Sequence, residues 1–335
     1  MAKIAFFELE EWEKDYLAHK LPDHELLFFL EPLGDKNITQ IADADVIAVF
    51  IYSPINEAVL AKLPRLRFVT TMSTGYDHID LVACAKRKII VSNIPSYGEN
   101  TVAEHTFALI LALTRKIIES VERTRRGNFS LEGLRGADLK GKVLGVIGTG
   151  RIGKHVIRIA KGFELTVIAT DPYPDKEFAA KMGFEYVDLD SLLASSDIIT
   201  LHAPLTPQTK HMINLNNIGK IKRGAILINT ARGGLVQTEA LLKAIEQGIL
   251  SAAGLDVLEE ECFIKEEKQL LSRAFERECD LRTVLEEHIL LAQDNVIITP
   301  HNAFNSTEAL QRILDTTVEN IKAFLAGAAV NVVGK

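Results

Sequence analysis

Short apolar, β-branched runs alternate with longer amphipathic stretches through the first hundred residues. Segments 3–7, 26–30, 46–51, 67–72 and 89–94 read as buried strands, and the stretches between them read as helices. Parallel neighbours in a sheet need a crossover to reconnect, so strand, helix, strand at this spacing predicts a parallel sheet covered on both faces. A second series of strands is expected at 143–147, 165–169, 198–201, 225–228, 252–255 and 296–298. Between the two series Val102, Phe107, Ile110 and Leu113 recur at helical spacing, which predicts one interdomain helix over 101–125. A last helix is expected over 307–325; by returning to the first domain it would make that domain discontinuous. Segment 259–294 is charged and breaks the rhythm. Leu270, Leu271, Ala274 and Phe275 form an apolar stripe in it, so it reads as a helical insertion near the site.

The expected architecture is therefore α/β, with two doubly wound parallel-sheet domains: residues 1–100 with 302–335, and residues 101–301. Composition agrees with a two-domain globular chain: 335 residues, 47% of them hydrophobic, can bury a sizeable core. The net charge of -7 gives no basic field to gather nucleic acid. The N-terminal run is too short for a signal peptide, and no segment has a membrane-spanning apolar length. Cys84, Cys262 and Cys279 lie far apart and lack metal-ligand spacing. Reduced thiols in a cytoplasm, and no structural metal, are expected.

The candidate chemistry begins after the strand 143–147. Gly148-Thr149-Gly150-Arg151-Ile152-Gly153 follows it and opens a helix. Gly148 permits the tight turn, Gly150 lets backbone approach a pyrophosphate, and Gly153 lets helix pack on strand. The next strand ends in Asp171, at about the roughly 20-residue spacing of a ribose-binding acid. A carboxylate there accepts from ribose hydroxyls and repels a 2′-phosphate, so the expected cofactor of this Rossmann-type domain is NAD.

Three polar groups follow later predicted strands, where open α/β sheets bind ligands: Arg232 after 226–231, Glu261 after 255–258, and His301 after 296–300. Their types suit reduction of a 2-keto acid. Hydride reaches the carbonyl carbon while a proton must reach its oxygen, which an imidazole of near-neutral pKa can donate and later accept. A carboxylate beside that imidazole keeps its acid form available. A substrate carboxylate calls for a planar, permanently charged double donor, which is arginine. Glu259 stands close enough to Glu261 to be the alternative carboxylate.

Taken in order, the segments 73–80, 102–105, 148–153, 201–204, 229–233, 254–257 and 299–301 resemble the D-isomer-specific 2-hydroxyacid dehydrogenase family, most closely its D-lactate branch. The resemblance covers nearly the whole chain and implies a flavodoxin-like substrate domain beside the NAD domain. It implies that Arg232 binds carboxylate and carbonyl, that Glu261 pairs with His301, and that His301 is the acid/base; the spacing from Asp256 selects Glu261 over Glu259. It also implies that Arg151, Ile152, Asp171, Ala203, Pro204 and Thr209 line the NAD site with Thr230, Ala231 and Asp256, the last tuning it. Backbone amides around Thr74 and Gly75 would hold the substrate carboxylate, with Tyr52, Tyr97 and Phe304 as pocket walls.

A homodimer formed through the nucleotide domain is implied as well. Met72 and Asn305 depart from the lactate-type pattern. Within the same fold the alternatives are a dehydrogenase for a bulkier 2-hydroxy acid or for phosphite, and an NAD-sensing binding protein like the corepressors that share the fold.

Overall fold

The computed structural model describes residues 1–259 and 280–334. The chain divides into two units, Met1–Tyr97 with Ser306–Lys335, and Gly98–Asn305. These boundaries fall a few residues from the 100/101 and 301/302 positions expected from the sequence.

In the first unit the strands are β1 (Lys3–Phe6), β2 (Glu25–Phe28), β3 (Val46–Val49), β4 (Phe68–Thr71) and β5 (Ile90–Ser92). Helices α1 (Glu11–Lys20), α2 (Glu57–Ala61) and α3 (Leu81–Lys86), and a 3-10 turn (Ile38–Ile41) between β2 and β3, connect them. The sheet is parallel in the order β2-β1-β3-β4-β5, the flavodoxin-like order. Central β3 and β4 are buried at every position, as a sheet covered on both faces requires, whereas edge strand β2 is not. The C-terminal helix Thr307–Leu325 belongs to this unit. Ser306 caps it through Ala309 N, Phe324 stacks on Phe68 with centroids 4.5 Å apart, and Asn320 donates to Asn93 O at 3.0 Å.

The second unit opens with α4 (Glu99–Thr114) and α5 (Ile117–Arg125). The single helix expected over 101–125 is thus two, because Lys116 between them takes the left-handed conformation with φ 53°. Apolar periodicity continues across that break, so the pattern carries no sign of it. Then come β6 (Val143–Ile147), α6 (Arg151–Gly162), β7 (Thr166–Thr170), α7 (Lys176–Met182), β8 (Glu185–Tyr186), α8 (Leu189–Ser195) and β9 (Ile198–Leu201). After these stand β10 (Ala225–Asn229), α9 (Thr238–Glu246), β11 (Leu250–Leu255), α10 (Leu281–Leu291) and β12 (Val296–Ile298).

The parallel sheet runs β12-β11-β10-β9-β6-β7-β8. This is the doubly wound dinucleotide order with one added edge strand. Six strands were expected and seven are present: β8 is two residues long and pairs only with β7, too short to show as a strand pattern. Successive residues such as Ile198 and Ile199 enter different apolar clusters, so both sheet faces are covered. Leu270, Leu271, Ala274, Phe275, Cys262 and Cys279 lie outside the described residues. Among the described residues no helix is long and apolar enough to cross a membrane.

Candidate active site

Register brings the described site residues that follow strands of the second sheet to one edge of it. Ile147 pairs with Leu201, Leu201 with Asn229, Asn229 with Leu255, and Leu255 with Ile298, so these strands end side by side. The chain leaves that row through the glycine turn, Ala203-Pro204, Thr230-Ala231-Arg232, Asp256 and Thr299-Pro300-His301.

The glycine turn fits a dinucleotide. Gly148 has φ +93°, and a Cβ on it would lie 2.8 Å from Ala203 N; one on Gly153 would lie 2.1 Å from Gly148 O. Both positions therefore require glycine. A Cβ on Gly150 would meet nothing within 4 Å, which leaves open space over the first turn of α6, where amides and the helix dipole favour a pyrophosphate. Asp171, just past β7, accepts from Thr149 N at 2.7 Å and Thr149 Oγ1 at 3.0 Å through Oδ2, and from Tyr173 N at 2.8 Å through Oδ1. A carboxylate offers about four lone-pair sites, so with three taken by the protein one remains for a ribose hydroxyl. The same contacts tie the second strand to the turn.

Arg151 is exposed and approaches Glu99 at 3.7 Å, while Ile152 packs on the apolar core of this unit. The Thr209 hydroxyl donates to Pro204 O at 2.6 Å, which folds the loop after β9 onto itself. Thr230 is buried against Thr106, with hydroxyls 3.0 Å apart. His202, in the motif beside Ala203, has its ring Nδ1 buried; burial lowers its pKa to about 3 and keeps the ring neutral.

Arg232 is half-buried in an extended conformation; its Nη1 donates to Ala231 O at 2.7 Å and its carbonyl accepts from Asn229 Nδ2 at 2.9 Å. His301 is half-buried with φ 52°, a left-handed residue at a sharp turn. Asp256, only 1% exposed, makes that turn possible. Its carboxylate accepts from Thr299 Oγ1 at 2.5 Å, Asn302 N at 3.0 Å and Ala303 N at 2.9 Å, so both flanks of His301 are anchored to the end of β11. His105 on α4 joins the group, 3.1 Å from Thr299 Oγ1 and 3.6 Å from Asp256 Oδ1.

Glu261 lies outside the described residues. The alternative, Glu259, is already engaged: one oxygen bonds His211 Nε2, and the other accepts from Thr238 N at 3.1 Å and Oγ1 at 2.9 Å. Sequence reading missed this group, since neither His211 nor Thr238 belongs to a recognisable motif. The anchoring use of Asp256 and His105 was also missed, although both stood within quoted segments.

In the first unit Thr74 Oγ1 donates to Ile94 O at 2.7 Å, and Gly75 O accepts from Ser73 Oγ at 2.6 Å. These bonds stiffen the turn after β4. Tyr52 is 41% exposed, with its amide on Glu8 Oε2 at 2.9 Å, and Tyr97 O accepts from Arg312 Nε at 2.6 Å. Met72 is buried. Phe304, in the second unit, sits beside Gly98.

A glycine turn and a ribose-side acid on a doubly wound sheet, with arginine and histidine at strand ends on either side of β11, define an NAD-dependent dehydrogenase. The profile described as "D-isomer specific 2-hydroxyacid dehydrogenase, NAD binding domain" matches residues 107–303. Similar proteins include the D-lactate dehydrogenase of Escherichia coli, 34% identical over 95% of each chain. Among solved structures, the pyruvate reductase of Chlamydomonas reinhardtii is 35% identical with a TM-score of 0.88, covering 98% of each chain. The Aquifex aeolicus D-lactate dehydrogenase, complexed with NAD and lactic acid, is 38% identical over 97% of this chain and 96% of its own, with a TM-score of 0.84. The chain belongs to the D-isomer specific 2-hydroxyacid dehydrogenase family, and its second unit is an NAD-binding domain.

Proposed function

We propose that the substrate pair is D-lactate and pyruvate, and that Arg232, Glu261 and His301 carry the reaction. The observation that supports this most is the row of strand ends: Arg232 follows β10 and His301 follows β12, on either side of β11 and its Asp256 anchor. Bound NAD supplies a hydride donor and acceptor. In the reduction direction the His301 imidazolium gives its proton to the carbonyl oxygen, and in the reverse direction the neutral ring takes the hydroxyl proton. Arg232 holds the carboxylate and the carbonyl oxygen through its fork of N–H donors, which orients the carbonyl face. By family resemblance Glu261 pairs with the imidazole, and the amides at Thr74 and Gly75 take the far carboxylate oxygen. The first unit then serves as the substrate domain, with Tyr52, Tyr97 and Phe304 limiting the side chain. Lactate-named relatives of about one-third identity support the small substrate.

The test follows NADH absorbance with pyruvate, phenylpyruvate, 2-ketoisocaproate, hydroxypyruvate and glyoxylate. Pyruvate should lead in kcat/KM by about 10-fold or more over the bulkier acids, the discrimination a fitted apolar pocket provides. A bulky acid in the lead would move the assignment to a larger 2-hydroxy acid. His301→Ala should lower kcat by about 10²–10⁴ while NADH still binds; loss of NADH affinity instead would remove the proton-transfer role.

A further inference from the structure

Glu259 is not the group expected to face His301, yet its carboxylate is one of the most committed in the second unit. One oxygen bonds the His211 imidazole and the other accepts from both the amide and the hydroxyl of Thr238. The side chain is only 17% exposed, so these three bonds form largely out of water, where charge-assisted hydrogen bonds are strongest. His211 lies on the loop after β9 in a left-handed conformation, φ 51°, and its amide donates to Gly234 O at 2.8 Å. Thr238 opens α9, four residues past Gly234 in the same chain segment as Arg232. The Glu259 carboxylate therefore joins three segments: the loop after β9, the start of α9, and the exit of β11.

The turn that carries Arg232 is caught between two of them. A Cβ on Gly233 would lie 1.9 Å from Leu258 O and 2.4 Å from Glu259 N, so the Leu258–Glu259 peptide is pressed against this turn. On its other side Gly234 O is held by the His211 amide. The Arg232 carbonyl itself accepts from Asn229 Nδ2 at 2.9 Å and from Leu235 N, inside the same turn, at 3.2 Å.

We infer that Glu259, His211 and Thr238 form a positioning clamp that sets the Arg232 turn, and through it the placement of the guanidinium on the substrate carboxylate. The inference rests on the reading of Arg232 as the carboxylate-binding group. A guanidinium on a long side chain reaches its ligand only as well as its backbone is placed, and a misplacement of about 1 Å costs on the order of 100-fold.

The test is a double-mutant cycle on the full enzyme, with pyruvate and NADH as probes. Glu259→Gln should lower kcat/KM for pyruvate about 10- to 100-fold, with little change in KM for NADH. In an Arg232→Lys background the same change should cost no more than about 3-fold, because coupled residues are not additive. His211→Gln, which keeps an N–H donor for the carboxylate, should retain most activity, whereas His211→Ala should behave like Glu259→Gln. Thermal unfolding checks that each variant folds; should Glu259→Gln not fold, His211→Ala carries the cycle. Multiplicative losses in the Arg232→Lys background, or an equal rise in KM for NADH, overturn the clamp and leave the Arg232 reading intact. An Arg232→Lys enzyme with wild-type kcat/KM overturns both.

Discussion

At Asp256 one buried carboxylate takes a hydroxyl and two amides from the turn that bears His301. A left-handed non-glycine residue costs of the order of 1–2 kcal/mol, so His301 stays in that conformation only while its flanks are held. Asp256→Asn replaces one acceptor by a donor and sets it against an N–H. We expect kcat to fall about 10- to 100-fold, since the imidazole loses the placement that its turn gives it. A wild-type kcat, measured by steady-state turnover, would sink this account. The type of each residue here was legible in the sequence: arginine for a carboxylate, histidine for a proton, an acid for ribose. What each carboxylate actually holds was not, because Asp256 and its three donors are more than forty positions apart.

Helix α1 shows how an element can spend stability on its own cap. Glu13 reaches back over the first turn and accepts from the Glu10 amide at 2.7 Å, while its own amide donates to Glu10 O at 3.2 Å. Glu13 is also buried, and burial pushes its carboxyl up to about 7. The unfolded carboxyl sheds its proton near 4.5, while the folded one keeps it to about 7. Folded protein thus binds more protons across that window, and stability falls as pH rises through it. Glu13→Gln keeps an acceptor without the charge, so it should stabilise by roughly 1–3 kcal/mol above pH 7, with the gain vanishing below about pH 4.5. Denaturant unfolding at both ends of the range checks this; an equal gain at acid pH would point to packing instead. Periodicity placed the expected strands to within a residue or two, yet it passed over the two-residue β8 and ran α4 and α5 together, since a single left-handed residue leaves no mark on the apolar pattern.

At the scale of the whole molecule, α5 buries none of its residues: Ile117, Ile118 and Val121 are 49%, 41% and 40% exposed, and Phe129 and Leu131 just beyond are 78% and 82% exposed. We propose that a second copy of the chain covers this apolar stretch, in the homodimer that family resemblance implies. In sedimentation velocity the wild-type chain should run as a dimer and Phe129→Asp with Leu131→Asp as a monomer; a wild-type monomer would remove the proposal, and a double variant that stays dimeric would place the interface elsewhere. The sequence by itself determined the order of the strands longer than two residues, the glycine turn and the chemical kinds of the site residues, because periodicity, backbone permissiveness and side-chain chemistry are local properties. Only the tertiary structure decided that β6, β9, β10, β11 and β12 end in one row, that Asp256 secures the His301 turn, and that Glu259 answers to His211 and Thr238. Those choices depend on sheet order and on contacts between distant residues, and no local pattern of hydrophobic and polar positions encodes them.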